Sequence, residues 1–276
     1  GGGGGGGLQK NNLQSAIGNL KSQIWISPNL NFTSLSPNTR HIQVIHDLSF
    51  IINPSWYSPK SRLWHRAIGI KKTLDRADAI VAISRATAQD IERHFPGLQH
   101  KTNVIYLGTP TKPTLKSEEI EHVKKKYSLP PRFFLYVGAL SSRKNIKLLL
   151  DAWHIFRQTT AHPHTLILAG PGELPSLYKG GSGGVSKKYS KYQIQNTKYL
   201  GPVTNTEKHA LLELSECLIF PSLYEGFGLP PLEAMSHGKP VIASWSSSLP
   251  EVIHDAGLLV SPYKPHELAH AMRMIA

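Results

Sequence analysis

Acidic side chains are scarce in this chain, cysteine is nearly absent, and no long apolar run occurs. Eighteen Asp and Glu face 31 Lys and Arg, a formal charge of +13. That surplus favours an anionic partner (nucleic acid, a membrane surface or a phosphorylated small molecule) or is no more than a solvated basic surface, and charge alone does not choose. With Cys217 as the single cysteine, no intramolecular disulfide can form and a reducing compartment is expected. Within the apolar run CLIF it reads as a small core hydrophobe rather than a nucleophile. No stretch approaches the ~20 apolar residues of a transmembrane helix. Nor does a basic-then-apolar leader open the chain; residues 1–7 are glycines, read as a tag, placeholder or scar and set aside from the fold. A cytoplasmic protein is the expectation. At 40% hydrophobic and 18% charged, the composition argues against disorder.

What is present is alternation. Short apolar runs predict strands at 42–45, 79–84, 103–107, 133–137, 165–169, 217–220 and 241–243. Helical stretches separate them at 60–76, 85–95, 118–127, 145–158, 206–216, 230–237 and 265–275. Apolar strands alternating with helices predict an α/β fold with parallel sheets covered on both faces. GTPTKPTLKS (108–117) reads as a linker. It divides 8–112, which has only about three strands and looks incomplete, from the fuller 113–276; the final helical pattern is also expected to be cut short. Helix 60–76 carries Leu63, Ala67, Ile70, Leu74 and Ala77 on one stripe, with Lys60, Arg62, Arg66, Lys71, Lys72 and Arg76 elsewhere. Such a helix either packs on the core with a solvated back or lies on an anionic membrane. In 178–193, Lys187, Lys188 and Lys191 interleave with Tyr178, Tyr189 and Tyr192. Base stacking could use them, but a mobile basic surface loop is the plainer account.

Four stretches fall just beyond strand ends, where ligands bind in such sheets. FLYVGALSSRKN passes through Gly138 to Arg143 and Lys144 before a helix, which suits an anion; two solvated cations in a turn is the alternative. LILAGPGE turns at Gly170, either for close approach to the backbone or merely to turn. In YEGFGLPPLEAM (224–235), Gly226 and Gly228 let the N–H groups of Phe227, Gly228 and Leu229 converge, and Pro230 and Pro231 suit a first helical turn. Glu233 is expected in that first turn, favoured by the helix dipole, whereas Glu225 is expected at the mouth of a cleft. VIHDLSF offers His46 and Asp47 as acid/base machinery, a sugar-hydroxyl contact or a loop capping itself.

These residues carry a resemblance. FPSLYEGFGLPPLEAMSHGKPVIAS with SLPEV, and YVGALSSRKN upstream, resemble the retaining nucleotide-sugar glycosyltransferases of family 4, which have the GT-B architecture of two facing Rossmann-like domains. HDLSFIINPSWYSP and AIVAISRATAQDI resemble the second half of that family's N-terminal domain, so the similarity spans roughly 40–275. It implies that 8–112 is a partial acceptor-side domain and 113–276 the nucleotide-sugar domain. It further implies that Glu233 binds the donor's ribose, that Glu225 lies by the transferred sugar, and that Phe227, Gly228 and Leu229 meet sugar hydroxyls and the distal phosphate. Arg143 and Lys144 would hold the diphosphate, His46 would reach across the cleft to the sugar, Gly138 and Gly170 would line the donor side, and Val203 would lie near the base. Many relatives have arginine right after the strand-ending glycine, where this chain has Ala139; Arg143 is the substitute.

The implied reaction moves a hexose, mannose as first choice, from a nucleotide-diphosphate sugar (GDP-mannose) to a glycan or lipid-linked acceptor with retention. No two aspartates stand two apart as in a metal-holding Asp-x-Asp motif, so no metal is expected. Arg143, Lys144 and loop amides would take the metal's place. Peripheral contact with an anionic membrane stays open as an alternative, and nucleic acid is not expected. The rivals are a GT-B nucleotide-sugar epimerase or phosphorylase, and a non-catalytic basic membrane- or nucleic-acid-binding module.

Overall fold

The computed structural model describes residues 23–32, 34–36, 38–109, 111–159, 163–172 and 196–276; the basic Tyr/Gly/Ser stretch 178–193 lies outside them. Two all-parallel sheets form. The first holds β1 (Gln23–Ser27), β2 (Thr39–Ile45), β3 (Ala79–Ala82) and β4 (Thr102–Val104) in that order. The second is built from β5 (Phe133–Val137), β6 (Thr165–Ala169), β7 (Thr197–Gly201), β8 (Cys217–Phe220), β9 (Val241–Ser244) and β10 (Leu258–Val260). Its order is β10-β9-β8-β5-β6-β7. The helices, in chain order, are α1 (Ser49–Ile52), α2 (Pro59–Ile68), α3 (Ile70–Arg76), α4 (Arg85–His94), α5 (Ser117–Lys126), α6 (Ile146–Thr159), α7 (Asn205–Leu214), α8 (Leu229–Ser236), α9 (Leu249–Ile253) and α10 (Pro265–Ile275). The α/β expectation holds, and the arrangement is GT-B.

The second sheet is buried on both faces, which is why FFLYV and CLIF are continuous apolar runs rather than alternating ones. Phe134, Tyr136, Leu166 and Leu168 face α6 and α10, packing with Trp153, Phe156, Leu268 and Met272. Phe133, Leu135, Val137 and Ile167 face the other way, onto Ala210, Leu211, Ala234 and Leu249. Cys217 is fully buried, and burial pushes its thiol up to about 12, as a core hydrophobe requires. In the first sheet, Ile45, Ile80 and Ala82 pack on Leu48, Leu74 and Ile91.

Two expectations are corrected. The first sheet has four described strands, not three; β1 (QIWIS) escapes a pattern search because four of its five residues are exposed and nothing alternates. The single helix 60–76 is broken. Gly69 adopts φ +63°, a left-handed conformation that stops α2 and starts α3 on a new axis. The apolar stripe splits with it: Leu74 and Ala77 are buried, whereas Leu63 is 69% exposed beside Trp64 at 42%. Among the described residues, no helix is long and apolar enough to cross a membrane.

The two sheets' lobes meet through α4. Its first two N–H groups, Arg85 and Ala86, each donate to the Glu251 carboxylate of the other lobe at 2.9 Å, and Tyr106 Oη adds a third hydrogen bond at 3.0 Å. A carboxylate there satisfies orphan donors and the helix dipole together. Deeper in, Tyr224 Oη donates to Asp90 at 2.7 Å, with both residues buried.

Candidate functional site

In the second sheet the strand order reverses between β5 and β8, since successive connections run outward to opposite edges from that pair. A crevice beyond the carboxyl ends of the strands opens at such a point. The loops that lead from β5 to α6 and from β8 to α8 therefore converge, although their key residues stand some 80 positions apart in the chain.

The convergence is held by backbone and amide bonds. Leu223 N–H donates to Arg143 O at 2.9 Å. Asn145, at φ +58°, sends its side-chain amide to Pro221 O (3.1 Å) and Pro262 O (2.8 Å), tying three loops together. Gly170 is required by packing: a Cβ there would lie 2.1 Å from Gly138 O. Gly138 itself, at φ +149°, donates its N–H to Ala169 O at 2.9 Å.

On this frame Lys144 Nζ sits 2.6 Å from Glu225 Oε1, and Arg143 Nη1 lies 3.3 Å from Oε2 while donating to Tyr224 O at 2.9 Å. Lys144 also stands over the Phe220 ring, 4.9 Å from its centroid. Burial pushes the Lys144 pKa down, against the opposing pull of Glu225. Burial, followed by the Glu225 charge, raises the nearby Tyr136 phenol. Glu225 is thus not at the open mouth of a cleft, as expected, but buried beneath two cations; a carboxylate leaves water when paired charges replace its hydration.

The GFG loop is shaped by serines that sequence reasoning passed over. Ser247 Oγ accepts from Glu225 N–H at 2.7 Å, and Ser248 Oγ lies 2.9 Å from both Glu225 O and Phe227 O. Ser244 and Ser246 both donate to Ser222 O. The run WSSS directly after strand VIAS was the available signal. Gly228, at φ +111°, is the N-cap of α8, and the Phe227 ring packs 6.0 Å from Tyr106 of the other lobe. Leu229 is partly exposed at the start of the helix.

Glu233 is the fifth residue of α8, hence in its second turn rather than the first, where the dipole is weaker. Its carboxylate pairs instead with Lys208 Nζ at 2.5 Å. His46 and Asp47 do not form a pair. The His46 ring lies 2.9 Å from Pro28 O within its own lobe, and Asp47 accepts from the Ser49 N–H (2.9 Å) and hydroxyl, a loop capping itself. Val203 packs, half-buried, beyond the end of β7. The structure therefore gathers Gly138, Arg143, Lys144, Glu225, Phe227, Gly228 and Leu229 on two touching loops. Gly170 and Val203 follow neighbouring strands, and His46 approaches through its backbone.

That approach fixes Gly226. A Cβ on it would lie 2.1 Å from His46 O, where neither backbone can yield without parting the lobes. Gly226→Ala is expected to cost about 1–3 kcal/mol as an overpacked contact, read as a lowered midpoint in denaturant unfolding.

The description "Glycosyl transferases group 1" matches residues 117–275. The O-antigen chain mannosyltransferase B of Escherichia coli is 32% identical over 252 residues, covering 90% of this chain and 63% of its own. The D-rhamnosyltransferase WbpZ of Pseudomonas aeruginosa is 30% identical over 250 residues, covering 85% and 61%. The chain thus spans a little under two thirds of these relatives. Among solved structures, HepE of Anabaena in complex with UDP and glucose superimposes with a TM-score of 0.64 at 21% identity, over 86% of this chain and 62% of that one. WaaG, a glycosyltransferase involved in lipopolysaccharide biosynthesis, gives 0.65 at 14% identity, over 96% and 71%.

Proposed function

The chain belongs to the group 1 glycosyl transferases, and from that premise we propose that it transfers a hexose, mannose first, from a nucleotide-diphosphate sugar to a glycan or lipid-linked acceptor with retention of configuration. The observation that carries this reading is the convergence of Arg143 and Lys144 on Glu225, beside the 226–229 loop, where the strand order reverses. Mannosyl- and rhamnosyltransferases among the relatives favour mannose, and GDP-mannose is the first donor to test.

In the proposed reaction the anomeric C–O bond to phosphate breaks and its electron pair stays on the diphosphate. Arg143 and Lys144 hold the growing charge, and the amides before α8 add preorganised dipoles, so that no metal is needed. The acceptor hydroxyl oxygen bonds to the same face of the anomeric carbon. Its proton passes to the leaving phosphate oxygen. Glu233 accepts from the ribose hydroxyls, Glu225 keeps the two cations in place and faces the sugar, and His46 meets the sugar from the opposite lobe. Gly138 and Gly170 let the strand ends close up beneath the donor, and Val203 lies towards the base.

Incubation with GDP-mannose and a lipid-linked glycan should yield an α-linked mannoside and GDP. Turnover without acceptor would indicate an epimerase, and dependence on free phosphate a phosphorylase. A screen of GDP-, UDP- and dTDP-sugars for thermal stabilisation identifies the nucleotide.

The proposed peripheral membrane contact would involve α2 and α3. There Leu63 and Trp64 are exposed between Arg62 and Arg66, and a cavity of about 640 Å³ lined by Phe50, Ile51, Ile68, Lys71 and Lys72 adjoins them. Exposed apolar side chains flanked by cations suit an anionic interface. The protein is expected to sediment with phosphatidylglycerol vesicles and not with phosphatidylcholine ones. Trp64→Ala combined with Arg66→Glu should weaken that binding about tenfold; equal sedimentation with both vesicles would refute the placement.

A further inference from the structure

Two neighbouring residues of α7 reach α8 at two points one turn apart. Lys208 holds Glu233 at 2.5 Å, and His209 Nδ1 lies 2.9 Å from His237 Nε2, the two rings being 5.2 Å apart. His237 Nδ1 continues to Glu213 Oε2 at 2.9 Å, and Glu213 to Lys112 of the inter-lobe segment at 2.7 Å. An ionised Glu213 accepts from His237 Nδ1. With both rings neutral, His237 Nε2 then accepts and His209 Nδ1 donates.

We propose that Lys208 is a positioning residue for Glu233, with the His209–His237 pair locking α7 to α8 behind it. The proposal rests on the ribose-binding role of Glu233 given above. Lys208 occupies one oxygen of a carboxylate that offers about four acceptor sites, so it fixes the plane of the group while leaving capacity for a vicinal diol. The pair is mostly shielded, with side chains 19% and 12% exposed, so the ammonium is not exchanged freely for water. An exposed Lys–Glu pair would position little. Burial, then the Lys208 charge, lowers the His209 pKa, with Glu233 opposing. The charged groups around the lock are therefore Lys208, Glu233, Glu213 and Lys112. A histidine held neutral by folding supports the lock above its ordinary value of 6.5 and loses that support as pH falls below it.

The test is the ratio of affinities for GDP and 2′,3′-dideoxy-GDP, measured by calorimetry on the whole protein; phosphate titration cancels in the ratio. The protein should prefer GDP by about tenfold or more, as for hydrogen bonds to a charged acceptor. Lys208→Met should bring the ratio towards one and Lys208→Arg should restore it, with thermal melts confirming that both fold. If Glu233→Ala abolishes the preference but Lys208→Met does not, the positioning role is overturned and the ribose reading stands. If Glu233→Ala leaves the preference intact, the ribose reading fails and the positioning role with it.

Discussion

Lys144→Ala is expected to lower turnover by about 10²–10³, the usual cost of removing one preorganised group that stabilises developing charge. The geometry explains why this lysine outweighs the other basic residues. Its ammonium is fixed by Glu225 at 2.6 Å and by the Phe220 face, it is largely buried, and it needs no reorganisation when charge grows on the diphosphate. Arg143 divides its guanidinium between Tyr224 O and Glu225 and lies farther from the carboxylate, so Arg143→Ala should cost less. A pH dependence accompanies this. Burial pulls the Lys144 pKa below 10.5, and the proposed role needs the cation. Donor affinity should therefore fall as pH rises through that lowered value, before ordinary lysines titrate. Lys144→Arg should remove the alkaline loss while retaining part of the activity, because a guanidinium stays charged.

Glu225→Ala is expected to have the largest effect on stability. Removing the carboxylate leaves Lys144 and Arg143 side by side and partly buried without their counter-charge, and breaking a buried pair in this way commonly costs about 3–5 kcal/mol. The loss should be repairable. A bound diphosphate brings negative charge to the same two cations, so nucleoside diphosphate should raise the melting temperature of Glu225→Ala more than that of the unaltered protein. Denaturation curves with and without GDP measure both halves. Glu225→Gln, which keeps the shape and removes only the charge, should show the same repair.

Much of the scaffold was legible because its signals are local. FFLYV, TLILA and CLIF are apolar runs buried on both faces, and they form β5, β6 and β8 as expected to the residue. Three of the four edge strands were missed, since QIWIS, TKYLG and LLV lack the continuous burial that imprints a pattern; the fourth, β4, was expected at 103–107. The break at Gly69 was missed because the apolar spacing runs across it unchanged, whereas the backbone does not. The two loops that meet were legible through GFGLPP and the Arg-Lys turn. Its wiring was not. The pairing of Lys144 with Glu225 and of Lys208 with Glu233, and the Asn145 amide that ties three loops, join distant positions, and only the strand order decides which loops meet.

In the proposed function, the two loops at the β5–β8 reversal and α8 together form a nucleotide-sugar clamp. Titration calorimetry of GDP-mannose into the unaltered protein, Lys144→Ala and Glu233→Ala tests it most directly. Saturable one-to-one binding that disappears in both variants, while their melting curves still show folded protein, is the result expected of the clamp. Unchanged affinity in the two variants for whichever nucleotide sugar stabilises the protein would contradict it.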